Sequence, residues 1–187
     1  IINGAQTEHG QFPSTGFIHI NSKFACGASI ISDRWLISAA HCLPAYSIRS
    51  TAELQIGVGT VYNTTKFMLD VEKVIVHKSF NNSNFKNDIA LIQLTEPLTF
   101  NDTVKSITID ATPIAEGESL TAEGWGKQAD TDTNGSAMLM TVELKAISGA
   151  ICDAAYPDLD PEVGDQVCTG LEAGKNTCEG DSGGPLV

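Results

Sequence analysis

Short apolar runs, the residues that punctuate them, and the lack of any long amphipathic helical pattern together predict an all-β fold for this chain. The runs ASIIS, RWLISAA, AELQIGVG, VEKVIV, DIALIQL, SITI and MTVELKAI are each of strand length, rich in Ile, Val and Thr, and bounded by Gly, Pro, Asn, Asp or Ser. That period and punctuation mark strands joined by turns. Seventeen Gly and 7 Pro in 187 residues agree with a turn-rich globular chain.

Taken in order, the runs from ASIIS to SITI precede a turn-prone stretch, IDATPIAEGES, and MTVELKAI follows it. Clustered Asp, Thr, Pro and Gly end one region and begin another. The division predicted is therefore a first lobe over 1–110 and a second over 111–187, within one peptide of a size that buries a substantial core. The acidic segment QADTDTNGS reads as an exposed loop between strands. No repeat, heptad or low-complexity tract is present.

Charge and cysteines narrow the function. Eleven Lys and Arg against 23 Asp and Glu give a net charge of −12, which repels a nucleic-acid backbone and an anionic membrane surface. Neither is expected as a partner, and no apolar window is long enough to span a bilayer. The chain opens on IINGAQTEHG, without an initiator Met or a signal sequence, which points to proteolytic processing before Ile1. Five Cys fit no zinc or haem motif, but Cys26 with Cys42 and Cys152 with Cys168 share a spacing of sixteen. This suits two local disulfides in an oxidising compartment. Cys178 is left over, as an intermolecular partner, a free thiol, or half of a bond to a residue outside the sequence. Four glycosylation sequons begin at Asn63, Asn81, Asn101 and Asn134.

Three short motifs carry chemistry. In GDSGGP, Ser182 sits among glycines whose backbone can turn tightly and approach a ligand. In SAAHC, His41 stands beside Cys42, and a neutral imidazole can take the proton of a Ser hydroxyl and pass it to a leaving amine. In NDIALI, Asp88 leads into an apolar strand, and a buried carboxylate can orient an imidazole and stabilise its charged form. Each alone has a bland reading, as a turn, a strand-end histidine and a turn-forming acid. The order His, Asp, Ser is that of a known triad.

With the opening IING, the ACGASII run and EGWG, these motifs resemble the chymotrypsin family of serine proteases over essentially the whole sequence. The resemblance implies two antiparallel six-stranded β-barrels, the second incomplete in this chain, and hydrolysis of peptide bonds through an acyl-enzyme intermediate. It assigns Ser182 as nucleophile, His41 as general acid and base, and Asp88 as the group that orients His41. The amides of Gly180 and Ser182 would form the oxyanion hole. Asp181 would pair with the α-amine of Ile1 that an activating protease exposes, a switch that needs the preceding peptide bond cut.

In the family pattern Asn176 lies at the base of the primary specificity pocket, where trypsin-like members carry an Asp for Arg or Lys. A neutral floor instead implies apolar or aromatic preference, as in chymotrypsin-like or brachyurin (collagenase-like) members. The sequence stops five residues after Ser182, so the expectation is a part of a longer enzyme, with a pocket wall and a partner for Cys178 still to come. Expected partners are protein or peptide substrates, protein protease inhibitors and an activating protease, for a secreted monomer without cofactor or metal. The remaining histidines, His9, His19 and His77, show no ligand spacing, and residues 63–72 hold too few carboxylates for a calcium loop. The rival class is a non-catalytic homologue acting as a binding or regulatory module.

Overall fold

The computed structural model describes residues 1–43, 50–66, 68–155, 167–170 and 174–187. Strands β2 (Thr15–Ile20), β3 (Lys23–Ile30), β4 (Trp35–Ser38), β5 (Leu54–Val58), β6 (Leu69–Val76) and β7 (Ala90–Leu94) close an antiparallel barrel in the order β2-β3-β4-β7-β6-β5. The first hairpin turns on Asn21 and Ser22, with φ of 52° and 62°. Positive φ at both turn residues matches the right-handed twist of the strands that Ile20 and Lys23 begin to pair. The barrel is filled by one side of every strand, with Ile18, Ile30, Leu36, Ile56, Ile92 and Leu94 at its centre and almost no solvent exposure. Alternation along β7, buried at Ala90, Ile92 and Leu94, is the period expected of a half-buried strand.

The second sheet is built around β9 (Met140–Ile147), which pairs with β1 (Ala5–Gln6), β8 (Ser119–Gly124) and β10 (Cys168–Thr169). Among the described residues it is an open four-stranded sheet, in keeping with the expected incomplete second barrel. Its own core consists of Ile1, Ala122, Met140, Val142 and Leu144. A short helix, α1 (Gly149–Ala155), follows β9, and Cys152 on it is bonded to Cys168 of β10. No helix among the described residues is long and apolar enough to cross a membrane.

Two of the local departures from the sequence reading concern SITI and TGFIHI. SITI forms no strand: only single backbone bonds, from Lys105 N to Pro13 O and from Ile107 N to Ile30 O, tie this stretch to the barrel, and Ile109 is 64% exposed. An apolar run without a ladder partner on either side stays irregular however well its residues suit a strand. Conversely, TGFIHI at 15–20, outside the predicted runs, forms β2, a strand buried on both faces. Ile18 points into the barrel, while Thr15 and Phe17 face Glu123 of β8 and Trp125 just after it, and His19 faces Asn63 in the segment between β5 and β6.

Thr15 and Phe17 carry the inter-sheet contact. Phe17 stacks edge-on against the buried Trp125 at 4.9 Å between centroids, and Trp125 Nε1 donates to Val61 O at 2.9 Å. His19 Nε2 bonds Asn63 Oδ1 at 2.7 Å. Thr15 Oγ1 donates to Glu123 Oε1 at 2.5 Å, and Glu123 Oε2 has no partner among the described residues. Burial, only partly offset by the Thr15 hydroxyl, pushes the Glu123 carboxyl up to about 7 from an ordinary 4.5.

Because the folded state holds this proton more tightly than the unfolded chain, Glu123 contributes stability that is fully present below about pH 4.5 and is lost as pH rises through about 7. Glu123→Gln keeps the volume without the ionisation. Urea unfolding from pH 4.5 to 8.5 is expected to show the variant equal to wild type at the acid end and about 3 kcal/mol more stable at the alkaline end. Parallel stability curves for the two proteins would refute this.

Candidate active site

The register of β4 against β7 brings the first pair of site residues together. Ser38 at the end of β4 stands opposite Ala90 at the start of β7. In an antiparallel pair, the residues just after Ser38 therefore lie beside those just before Ala90. Beyond β4 the chain makes one turn of 3-10 helix over Ala40–Cys42, which carries His41. Across from it, Asp88 Oδ2 meets His41 Nδ1 at 2.6 Å and Asp88 Oδ1 accepts the His41 backbone amide at 2.8 Å. Both oxygens of one carboxylate thus fix both the ring and the backbone of one histidine. The side chains are 30% and 20% exposed, so the ring edge stays open to a ligand. Phe85 packs edge-on to the imidazole at 5.6 Å.

The Cys26–Cys42 disulfide joins β3 to the histidine turn. Its Cys42 sulfur lies 3.7 Å from His41 Nε2 and 3.8 Å from the carbonyl oxygen of Ser182, so the histidine and the Ser182 loop share one neighbour. Cys26, His41 and Cys42 are close enough to suggest a metal cluster, but the two sulfurs are bonded to each other and offer no thiolate.

The Ser182 loop wraps around a buried carboxylate. Asp181 Oδ2 is 2.7 Å from the Ile1 ammonium and accepts the Cys178 amide at 2.8 Å, while Oδ1 accepts the Gly126 amide at 2.8 Å. The ammonium also donates to Lys127 O at 2.8 Å. With Ile1 fully buried and Asp181 nearly so, each charge keeps its opposite partner and further hydrogen bonds, the condition for tolerating ions in an interior. Ile2 is held alongside Asn176 by backbone bonds in both directions, at 2.8 and 3.4 Å.

Within the loop, Gly180 adopts φ 96°, a left-handed conformation that suits glycine. Among the described residues, neither its amide nor that of Ser182 donates to a protein acceptor. The Ser182 carbonyl does have a partner, the Gly27 amide of β3, at 2.8 Å. An open groove of about 730 Å³ runs beside Gly180, walled by Phe24, Lys127, Asn134 and Glu179 among others. Lys127 and Glu179 form an exposed ion pair at its lip, which holds the Lys127 ammonium above its ordinary range.

The trypsin family profile matches residues 1–187, the whole chain. The chain belongs to the trypsin family. It is 34% identical to the anionic trypsin of Canis lupus familiaris over 189 residues, covering 100% of this chain and 74% of that protein. Trypsin-3 of Salmo salar is 36% identical over 163 residues, 87% of this chain and 66% of the relative. The similarity extends to transmembrane protease serine 7 of Homo sapiens, 34% identical over all of this chain, which spans only 22% of that protein's length. Neuropsin, described as a serine protease expressed in the limbic system of mouse brain, superposes with a TM-score of 0.88 at 29% identity, over 100% of this chain and 82% of its own. Fold and family are therefore those of a chymotrypsin-fold serine protease.

Trypsin-family membership agrees with the motifs of the sequence, and the structure brings most of the expected site residues together. His41 meets Asp88, Ser182 lies across the Cys42 sulfur, Ile1 meets Asp181, and both expected disulfides are present with Cys178 free. Asn176 is exposed, its backbone paired with Ile2 and its Oδ1 accepting the Thr177 amide. The sequence reading passed over the amides of Gly126 and Cys178, which complete the shell of Asp181. EGWG and the residue after NT were the places to look, but a backbone donor leaves no mark on residue type.

Replacing Asp181 by Ala would strand the Ile1 ammonium and the amides of Gly126 and Cys178 in an apolar setting. Asp181→Ala is expected to lower unfolding free energy by about 3–5 kcal/mol, measured by chemical denaturation. A change below about 1 kcal/mol, the scale of an exposed ion pair, would contradict a buried, working contact.

Proposed function

We propose that this chain is the peptidase portion of a secreted serine endopeptidase. The observation that carries the proposal is the His41–Asp88 pair at 2.6 Å, with the Ser182 loop held against the same disulfide sulfur as the imidazole. In this reading Ser182 Oγ attacks the carbonyl carbon of a peptide bond while His41 Nε2 takes its proton. Asp88 keeps the Nδ1 proton in place and stabilises the imidazolium. The negative charge that develops on the carbonyl oxygen is met by the amides of Gly180 and Ser182, one such donor being worth about 3–4 kcal/mol of barrier. The C–N bond then breaks, His41 returns the proton to the leaving amine, and water repeats the sequence to release the acid from the Ser182 ester.

Specificity belongs to the same proposal. Asn176 offers no charge to an Arg or Lys side chain, and the chymotrypsin-family pattern puts this position at the pocket floor, which favours apolar or aromatic residues before the cleaved bond. The buried Ile1–Asp181 pair supports activation by cleavage before Ile1. Two disulfides support an oxidising, extracellular setting, with proteins as substrates and inhibitors.

A fluorophosphonate probe is expected to label the protein at Ser182, with Ser182→Ala losing both labelling and peptidase activity while keeping its thermal midpoint. Labelling elsewhere, or none, would favour the non-catalytic module. A peptide panel varied only before the scissile bond should favour Phe, Tyr or Leu over Arg by about tenfold or more in kcat/KM. Preference for Arg would remove Asn176 from the specificity role.

A further inference from the structure

We infer that Ser38 is a positioning residue, whose hydroxyl sets the Ser182 loop at its working distance from His41; this deepens the proposed peptidase reading and rests on it. Ser38 is the last residue of β4, 2% exposed, and three positions before His41 on the same stretch of chain. Its Oγ donates to the Gly27 carbonyl at 2.8 Å. On the other side of the same residue, the Gly27 amide donates to the Ser182 carbonyl at 2.8 Å. One peptide segment of β3 therefore links the Ser38 hydroxyl, on the histidine strand, to the backbone of Ser182.

The Ser38 hydroxyl is closely approached on the Gly183 side. Gly183, next to Ser182, has φ 78°, and a Cβ there would come within 2.2 Å of Ser38 Oγ and 2.7 Å of Gly27 O. A Cβ on Gly27 would in turn lie 2.7 Å from the Cα of Gly184. These distances are below any ordinary contact, so the hydroxyl is wedged between β3 and the residue that follows Ser182. The His41–Asp88 bonds fix the imidazole from one side, and Gly27 holds Ser182 from the other. Beside the Cys26–Cys42 disulfide, Ser38 is a second side chain that connects the two frames, here by a hydrogen bond. Its own position is set by the Ser38–Ala90 register that also places Asp88. Ser38 touches neither substrate nor reacting atoms; it acts through backbone placement, where a displacement of about 1 Å can cost on the order of a hundredfold in rate.

The test compares wild type, Ser38→Ala and Ser38→Thr in kcat, KM and fluorophosphonate labelling rate, at a temperature well below the melting point of each. Ser38→Ala is expected to lower kcat and the labelling rate together by about tenfold or more, with KM within about twofold, because the buried Ser38 side chain offers substrate no contact. Ser38→Thr keeps a donor to Gly27 and is expected to regain most of kcat. Unchanged kcat in folded Ser38→Ala would overturn the inference, as would an equal loss in folded Ser38→Thr, which would assign the effect to volume. A wild-type protein with no peptidase activity and no labelling would instead sink the peptidase reading itself.

Discussion

The carboxylate of Asp181 joins the first residue of the chain to the loop that bears Ser182. An ammonium and two amides converge on its two oxygens inside the protein. The loop from Cys178 to Gly184 turns around that carboxylate, with further backbone bonds from Asp181 N to Cys178 O and from Gly184 N to Asp181 O. The Ile1 ammonium balances the charge of that carboxylate, so a residue far away in sequence is bonded to the loop that holds Gly180 and Ser182. A buried carboxylate without that partner is strongly unfavourable, and the loop would lose its centre.

The rest of the site rests on strand register. Because β4 and β7 pair at Ser38 and Ala90, the His41 turn and Asp88 are neighbours by construction of the barrel. Sheet registers tolerate little error, since a slip of one residue would turn every buried side chain of β7 outward. The barrel core thereby protects the His41–Asp88 geometry. The second sheet contributes differently: it supplies the cavity for Ile1 and, through Gly126, part of the shell of Asp181. Between the sheets, Thr15 and Phe17 of β2 make one face of a single strand the contact surface.

Much of this was legible in the residues. SAAHC, NDIALI and GDSGGP each place a reactive group beside a strand or a glycine turn, and MTVELKAI coincides with β9 at both ends. Both disulfides follow the sixteen-residue spacing. Other features left weaker traces. SITI has strand residues but no strand beside it, and a ladder is a property of two segments. TGFIHI mixes Thr, Gly and His because its second face meets another sheet, so no clean alternation survives. Glu123 looks like a surface acid in sequence, yet β8 turns it toward Thr15. Ser38 reads as a small residue before a motif; only its hydrogen bond to Gly27 and the closeness of Gly183 give it a role.

The central claim, that the α-amine of Ile1 organises the loop of Ser182, is tested most directly by changing that amine alone. Protein with a free Ile1 is compared with the same protein acetylated at its α-amine, reading the fluorophosphonate labelling rate at Ser182 and hydrogen exchange of the amides in 178–184. Acetylation is expected to slow labelling by about a hundredfold and to speed exchange in that loop, while β2 to β7 keep their protection. Equal labelling rates and equal exchange in the two forms would contradict the account.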